Sequence, residues 1–180
     1  DVSFTGTANL TQNTGAVALA ASHIITVSAS TLTLNGAVSG SGYDITKAGS
    51  GSLIIGGAIG TTTGNVIINA GSLTLSGINT YTGNTTLTAG TLIAGSTTYA
   101  FGGSGATAGT LNINGGTLDA SVAATITNAV NINADVSFAG SNSLTQNTGA
   151  VTLAASHIIT VSASTLTLNG AVSGSAFDIT

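Results

Sequence analysis

Apolar and polar residues alternate along this chain in runs of three or four, as in Leu73-Thr74-Leu75, Thr86-Leu87-Thr88 and Leu92-Ile93-Ala94, and Gly, Asn or Ser bounds each run. A period of two puts one face of each run on a core and predicts short β-strands joined at tight corners. Helices are disfavoured, because Gly, Thr, Ser, Asn and β-branched residues dominate and no 3.6-residue apolar stripe outlasts a turn.

The runs recur at a fixed spacing. At an offset of 19, Thr63-Gly64-Asn65 returns as Thr82-Gly83-Asn84, Ala70-Gly71-Ser72-Leu73 as Ala89-Gly90-Thr91-Leu92, Gly90-Thr91-Leu92-Ile93 as Gly109-Thr110-Leu111-Asn112, and Leu111-Asn112-Ile113-Asn114 as Val130-Asn131-Ile132-Asn133. Gly51–Gly56 to Gly71–Ser76 slips to 20, as a corner of variable length allows. Two or three strands in about 19 residues describe one coil of a parallel β-solenoid, an all-β fold in which each residue lies about 4.8 Å above its equivalent one coil earlier.

A longer period overlies the short one. Residues 135–180 repeat residues 1–46 with 39 of 46 positions identical at an offset of 134; the differences are Thr5/Ala139, Thr7/Ser141, Ala8/Asn142, Asn9/Ser143, Ala18/Thr152, Gly42/Ala176 and Tyr43/Phe177. The expected organisation is one continuous solenoid segment over 1–180, with 1–134 as one large repeat and 135–180 as the start of the next. Coils of about 19 residues fit the large repeat about seven times, for a rise of about 33 Å.

Stacking converts this spacing into predicted contacts. Asn112 is expected under Asn131, Asn114 under Asn133 and Asn65 under Asn84, pairs suited to amide ladders along the axis. Leu73, Leu92 and Leu111 are expected in one inward aliphatic column, and Gly64, Gly83 and Gly102 at one corner where glycine permits positive φ.

The segment Gly71-Ser72-Leu73-Thr74-Leu75-Ser76-Gly77-Ile78-Asn79-Thr80-Tyr81-Thr82-Gly83-Asn84-Thr85-Thr86-Leu87-Thr88-Ala89-Gly90-Thr91-Leu92 resembles the passenger-associated repeat of autotransporters, with its Gly-x-Leu-x-Leu-x-Gly-x-Asn-Thr-Tyr-Thr-Gly pattern, alternating strand and closing Gly-Thr-Leu. A weaker copy occupies residues 49–73, where Gly60–Thr63 stands for Asn-Thr-Tyr-Thr. The resemblance implies a right-handed β-helix of the kind found in passenger domains exported across the Gram-negative envelope, which serve as adhesins or stalks. The near-identical large repeat extends that implication to a giant repetitive surface adhesin or fibre protein.

Composition removes other classes. The chain has five acidic residues, one Lys, a net charge of −4, and no Arg, Cys, Met, Pro or Trp. Binding to a phosphate backbone depends on clustered cations, so nucleic acid is not an expected partner. Without Cys there is no disulfide or thiolate metal site. No apolar run approaches the roughly 18 residues that a spanning helix needs, so no membrane insertion is expected in this segment.

The same inventory bears on chemistry. Polysaccharide-acting β-helices use clustered carboxylates, or a carboxylate with calcium and a basic residue. Here Asp44, Asp119 and Asp135 are far apart and read as turn or solvating residues. His23 and His157 sit in the same Ser-His-Ile-Ile-Thr-Val motif one large repeat apart, too distant to share a metal, with no acidic residue adjacent in sequence; both read as surface or corner residues. Gly49-Ser50-Gly51 and Gly102-Gly103-Ser104-Gly105 lack the Lys-Ser/Thr of a phosphate loop and read as corners. The Gly-rich turns lack the Asp of calcium-binding nonapeptides. No catalytic residue, cofactor or metal is expected. Thr61-x-Thr63 stacked on Thr80-x-Thr82 makes too short a ladder for an ice-binding face. Tyr81, Tyr99 and Phe101 form the one local aromatic cluster, a candidate patch for a glycan or a neighbouring fibre.

The expected function is a non-catalytic structural or adhesive fibre or stalk at the cell surface, outside the cell, exported by an autotransporter-like route. Its expected partners are further copies of its own repeat end to end, lateral fibre contacts, and a host or neighbour-cell surface or glycan. A functional-amyloid-like matrix fibre and a β-helical scaffold for a polysaccharide-acting enzyme are the alternatives. By analogy with Thr46-Lys47-Ala48-Gly49-Ser50, a regular array predicts Lys-Ala-Gly-Ser after Thr180.

Overall fold

Strands form where the alternation places them. The computed structural model describes residues 1–103, 107–175, 178 and 180; Ser104 and Gly105 of the Gly-rich stretch, and Ala176 and Phe177 among the differing repeat positions, lie outside the described residues. The described strands are short, almost all inner ones follow a buried, half-buried, buried rhythm, and no α-helix occurs among the described residues. Every strand pair is parallel.

The chain winds as a three-sided β-solenoid of about eight turns, with a mean spacing of about 21 residues. The first side carries β1 (Val2–Phe4), β4 (His23–Val27), β7 (Ile45–Ala48), β10 (Val66–Ile68), β12 (Thr85–Leu87), β14 (Leu111–Ile113), β17 (Val130–Ile132), β20 (Val151–Leu153) and β23 (Val172–Ser173) in one sheet. The second carries β2 (Leu10–Gln12), β5 (Thr31–Leu34), β8 (Ser52–Ile55), β11 (Ser72–Leu75), β13 (Thr91–Ala94), β15 (Thr117–Ala120), β18 (Val136–Phe138) and β21 (Ile159–Val161). The third side is two short sheets, β3 (Val17–Ala18), β6 (Val38–Ser39) and β9 (Ile59–Gly60), then β16 (Ala124–Ile126), β19 (Leu144–Gln146) and β22 (Leu166–Leu168). Between them the Thr80 and Thr82 amides bond to Ile59 and Thr62, and Thr98 bridges to Thr125.

Inward side chains from the three sides meet along the axis in one apolar core, with each coil covering the next. Full burial of a Val, Leu, Ile or Phe side chain contributes about 1.5–3 kcal/mol. A rung such as Leu53, Leu73, Leu92 on the second side therefore stabilises its coil only because the flanking coils exclude water from it.

Coil length varies. Along the first side the inward positions Val2, Ile25, Lys47, Ile68, Leu87, Ile113, Ile132 and Leu153 succeed one another at unequal spacings, the longest being from Leu87 to Ile113. That long coil follows β13 and contains the Gly-rich loop. It overturns one predicted stack: Leu118, not Leu111, lies beyond Leu92, and Leu111 stands on the first side between Thr85 and Val130. A constant offset ran through the long coil and matched one Gly-Thr-Leu to the wrong successor; Gly116-Thr117-Leu118 is the structural one.

The glycine corner changes for the same reason. Gly64, Gly83 and Gly109 stack, and a Cβ at Gly83 or Gly109 would collide with the carbonyl of the glycine one coil earlier. Close backbone approach, not positive φ, requires glycine there. Gly102 lies instead against the ring of Tyr81, and it alone of the three predicted corner glycines has positive φ, at 82°. Positive φ recurs at the corner before the second side, as at Gly90 with φ 84°.

The large repeat spans six turns plus one side, not seven turns. β1 and β18 carry the same Val-Ser-Phe, yet β1 pairs with β4 on the first side and β18 with β15 and β21 on the second. Likewise β2 lies on the second side and its equivalent β19 on the third, while β3 lies on the third and its equivalent β20 on the first. All three sides are permuted in step.

Candidate functional site

Axial polar ladders are the most extended polar feature of the solenoid. At the corner before the first side, Ser22 Oγ accepts the Asp44 amide at 2.9 Å, Asp44 Oδ1 the Asn65 amide at 2.7 Å, Asn65 Oδ1 the Asn84 amide at 2.8 Å, and Asn84 Oδ1 the Thr110 amide at 2.9 Å. Asn65 Nδ2 also donates to Asp44 Oδ1 at 3.0 Å. Short side chains with an acceptor oxygen suit such corners, because each satisfies the orphan amide of the next coil. Asp44 thus serves as a rung, its carboxylate accepting two bonds from Asn65.

On the first side Asn131 lies over Asn112, and its Nδ2 donates to Asn112 Oδ1 at 2.9 Å. Asn133 Nδ2 donates to Asn114 Oδ1 at 2.8 Å just beyond the strand. Leu73 and Leu92 pair in register. Among the ladder positions assigned from sequence, Leu111 alone is displaced from the column expected for it.

The aromatic residues are not a joint outer patch. Tyr81 and Phe101 are fully buried on the third side, and only Tyr99 reaches solvent. Amides of Thr80 and Thr82 bonded one coil earlier bracket Tyr81 over Thr61, so the inward positions are 61 and 81, and the outward Thr ladder is out of register with the expectation. The Tyr81 hydroxyl bonds Thr85 Oγ1 at 2.7 Å, and burial pushes its pKa well above the ordinary value of 10.0. Tyr99 lines a shallow groove with Ile78 and Thr80.

Lys47 is fully buried in the first side, where its neighbours in register are Ile25 and Ile68. Its ammonium donates to the carbonyls of Ala48 at 2.8 Å, Gly49 at 2.7 Å and Ala70 at 3.1 Å, so it closes a corner from within. Desolvation by burial lowers its pKa from the ordinary 10.5.

The coils also assemble a contact that sequence proximity hid. His157 Nδ1 lies 3.4 Å from Asp135 Oδ1, and the same oxygen accepts the Ile158 amide at 2.9 Å. Chiefly that amide, and then the His157 ring, hold the Asp135 carboxyl below its ordinary range. In the first copy Asp1 Oδ1 likewise accepts the Ile24 amide at 3.0 Å. The signal was an offset of 22, one coil in this part of the chain, at which Asp and His stand in both copies, Asp1/His23 and Asp135/His157. The histidines turn inward at a corner: His157 is only 11% exposed, and among the described residues its buried Nε2 has no hydrogen-bond partner. Ser156 Oγ accepts the Asp178 amide. Neither neighbour aligns a hydroxyl on Nε2, the geometry a histidine-activated nucleophile needs. Among the described residues no three His, Asp or Glu side chains converge as metal ligands would.

Comparison with known proteins returns no matching family model, no matching curated protein and no matching solved structure. The geometry therefore defines a class, the parallel β-solenoid with tandem-repeat character.

Proposed function

We propose that this chain is a segment of a non-catalytic structural or adhesive fibre or stalk at the cell surface, built from tandem repeats and exported by an autotransporter-like route. The observation that carries the reading is the near-identical large repeat wound into a solenoid in which each coil is the template for the next. Such an array adds length at constant cross-section, and its stability grows by nearest-neighbour terms. The passenger-like segment Gly71–Leu92 supports the export route, since it forms one whole turn from β11 through the third-side stretch around Tyr81 and β12 to the start of β13. In this reading the fibre is a right-handed β-helix outside the cell. Its partners are further copies of its repeat, neighbouring fibres, and a host or neighbour-cell surface or glycan, for which the groove at Tyr99 offers an aromatic contact.

The test is cryo-electron imaging of native full-length material sheared from cells. Long rods with an axial spacing of about 4.8 Å, and a repeat rise of about 30 Å for six and a third coils, are the expected result. Discrete short rods without that rise would overturn it. Stacked short chains, as in a matrix amyloid, would share the axial spacing but dissolve into small subunits.

A further inference from the structure

We infer that successive large repeats in the fibre are turned by one side of the solenoid, so the array presents every outward feature of its repeat in three directions and returns to the same side at every third repeat. This rests on the fibre reading for the existence of further repeats. The turning itself is present within the chain, because residues 1–46 and their copy 135–180 occupy permuted sides.

The copies keep their local geometry while changing sides. Asp1 and Asp135 accept the amides of Ile24 and Ile158, and Ser22 and Ser156 accept those of Asp44 and Asp178. Gln12 and Gln146 each turn inward, with Oε1 accepting the amide of Gly36 or Gly170 and Nε2 donating to the carbonyl of Gly15 or Gly149. Registers agree as well: Val2 pairs with Ile25 as Val136 does with Ile159, and Leu10 with Leu32 as Leu144 does with Leu166. The repeat therefore specifies strands, corners and coil lengths without specifying a side. Each side is a short strand with the same inward rhythm, so one can stand for another.

The phase is set by the sum of the coil lengths. The unequal coils between the copies bring Val136 to the second side of the seventh coil, where Val2 began on the first side of the first. Three repeats then make nineteen coils, about 91 Å along the axis. Ala18 on the third side and its equivalent Thr152 on the first are both outward and exposed, which makes the position a reporter of direction. A flat surface carrying many copies of one receptor would meet a given motif about every 91 Å on the side facing it, whichever way the fibre lay.

Two measurements test this. In the chain of residues 1–180, Thr117→Cys with Ser137→Cys should form a disulfide readily, since the two are register partners on the second side and adjacent strands meet the Cα separation that a disulfide requires. Asn112→Cys with Ser137→Cys should not; closure of that pair instead would return β18 to the first side and overturn the turning. In the full-length protein, a cysteine at the Thr152 equivalent of every repeat, labelled with maleimide gold, should show clusters in three directions, recurring on one side at about 91 Å. Clusters in a single row at about 30 Å would overturn the proposal while leaving the fibre reading intact. Absence of rods would remove the fibre reading and the display together, and the disulfide result would still report the turning within this chain.

Discussion

Val2 and Val136 open the same Val-Ser-Phe sequence, yet Val2 is 51% exposed and Val136 is 5% exposed. Late in the duplicated stretch the order reverses: Val38 is 2% exposed and its equivalent Val172 52%. Identical sequences thus exchange burial according to which flank carries a stacked coil. Among the described residues Val136 has β15 on one side and β21 on the other, whereas Val2 is flanked by β4 alone. In a solenoid the core is a property of the pair of coils, and a sequence that looks apolar enough to be buried obtains that burial from its neighbours.

The most disruptive way to break the comparison is to cut the stack between the copies. Leu92→Asp would place an unpaired charge in the second-side column and is expected to cost more than about 4 kcal/mol. Loss of amide-exchange protection across β11, β13 and β15 would check it, and Thr86→Asp, outward on the first side, should change stability by less than about 0.5 kcal/mol.

Phe138→Ala should cost about 3–5 kcal/mol, because Phe138 is fully buried between coils. Phe4→Ala, at the equivalent but half-buried position, should cost less than about 2 kcal/mol in the same urea titration. Equal losses would mean that burial is intrinsic to the motif. Appending a coil copied from residues 47–68 after Thr180 should then raise exchange protection at Ile159, Val161 and Leu166 toward that of Ile25, Val27 and Leu32. An unchanged pattern would refute the neighbour-coil account.

A smaller effect is expected from Asn131→Ala, which removes one rung of the amide ladder and should cost about 1 kcal/mol. A pH effect comes from two buried titratable groups, Lys47 and Tyr81. Burial lowers the Lys47 pKa, so between that value and the ordinary 10.5 the unfolded chain holds more protons, and stability should climb with pH. Burial raises the Tyr81 pKa, so above its ordinary 10.0 the unfolded chain loses the proton first and stability should fall. Urea midpoints across the alkaline range should lose the climb in Lys47→Met and the fall in Tyr81→Phe.

Much of the architecture was legible in the residues. Alternation located the strands, and matches at an offset of 19 located the Asn65/Asn84, Asn112/Asn131 and Asn114/Asn133 contacts, because each of those pairs spans a coil of that length. The misplacement of Leu111 and of Gly102 has one cause, the lengthened coil, across which a constant offset matches the wrong residues. The outer aromatic patch failed for another reason, since Tyr81 and Phe101 turn inward and are buried. The Asp135–His157 contact does not show as adjacency along the chain, because its partners stand a whole coil apart and meet only across the stack.

By itself, then, the sequence determined that the chain forms short inward-outward strands with polar corners and that these stack in parallel, since a period of two and a coil-length repeat leave few other ways to bury the apolar positions. Tertiary structure alone decided how long each coil is, which side each copy occupies and whether a given Val or Phe is dry. Those depend on corner lengths summed around the axis and on the presence of a neighbouring coil, and no residue carries that sum locally.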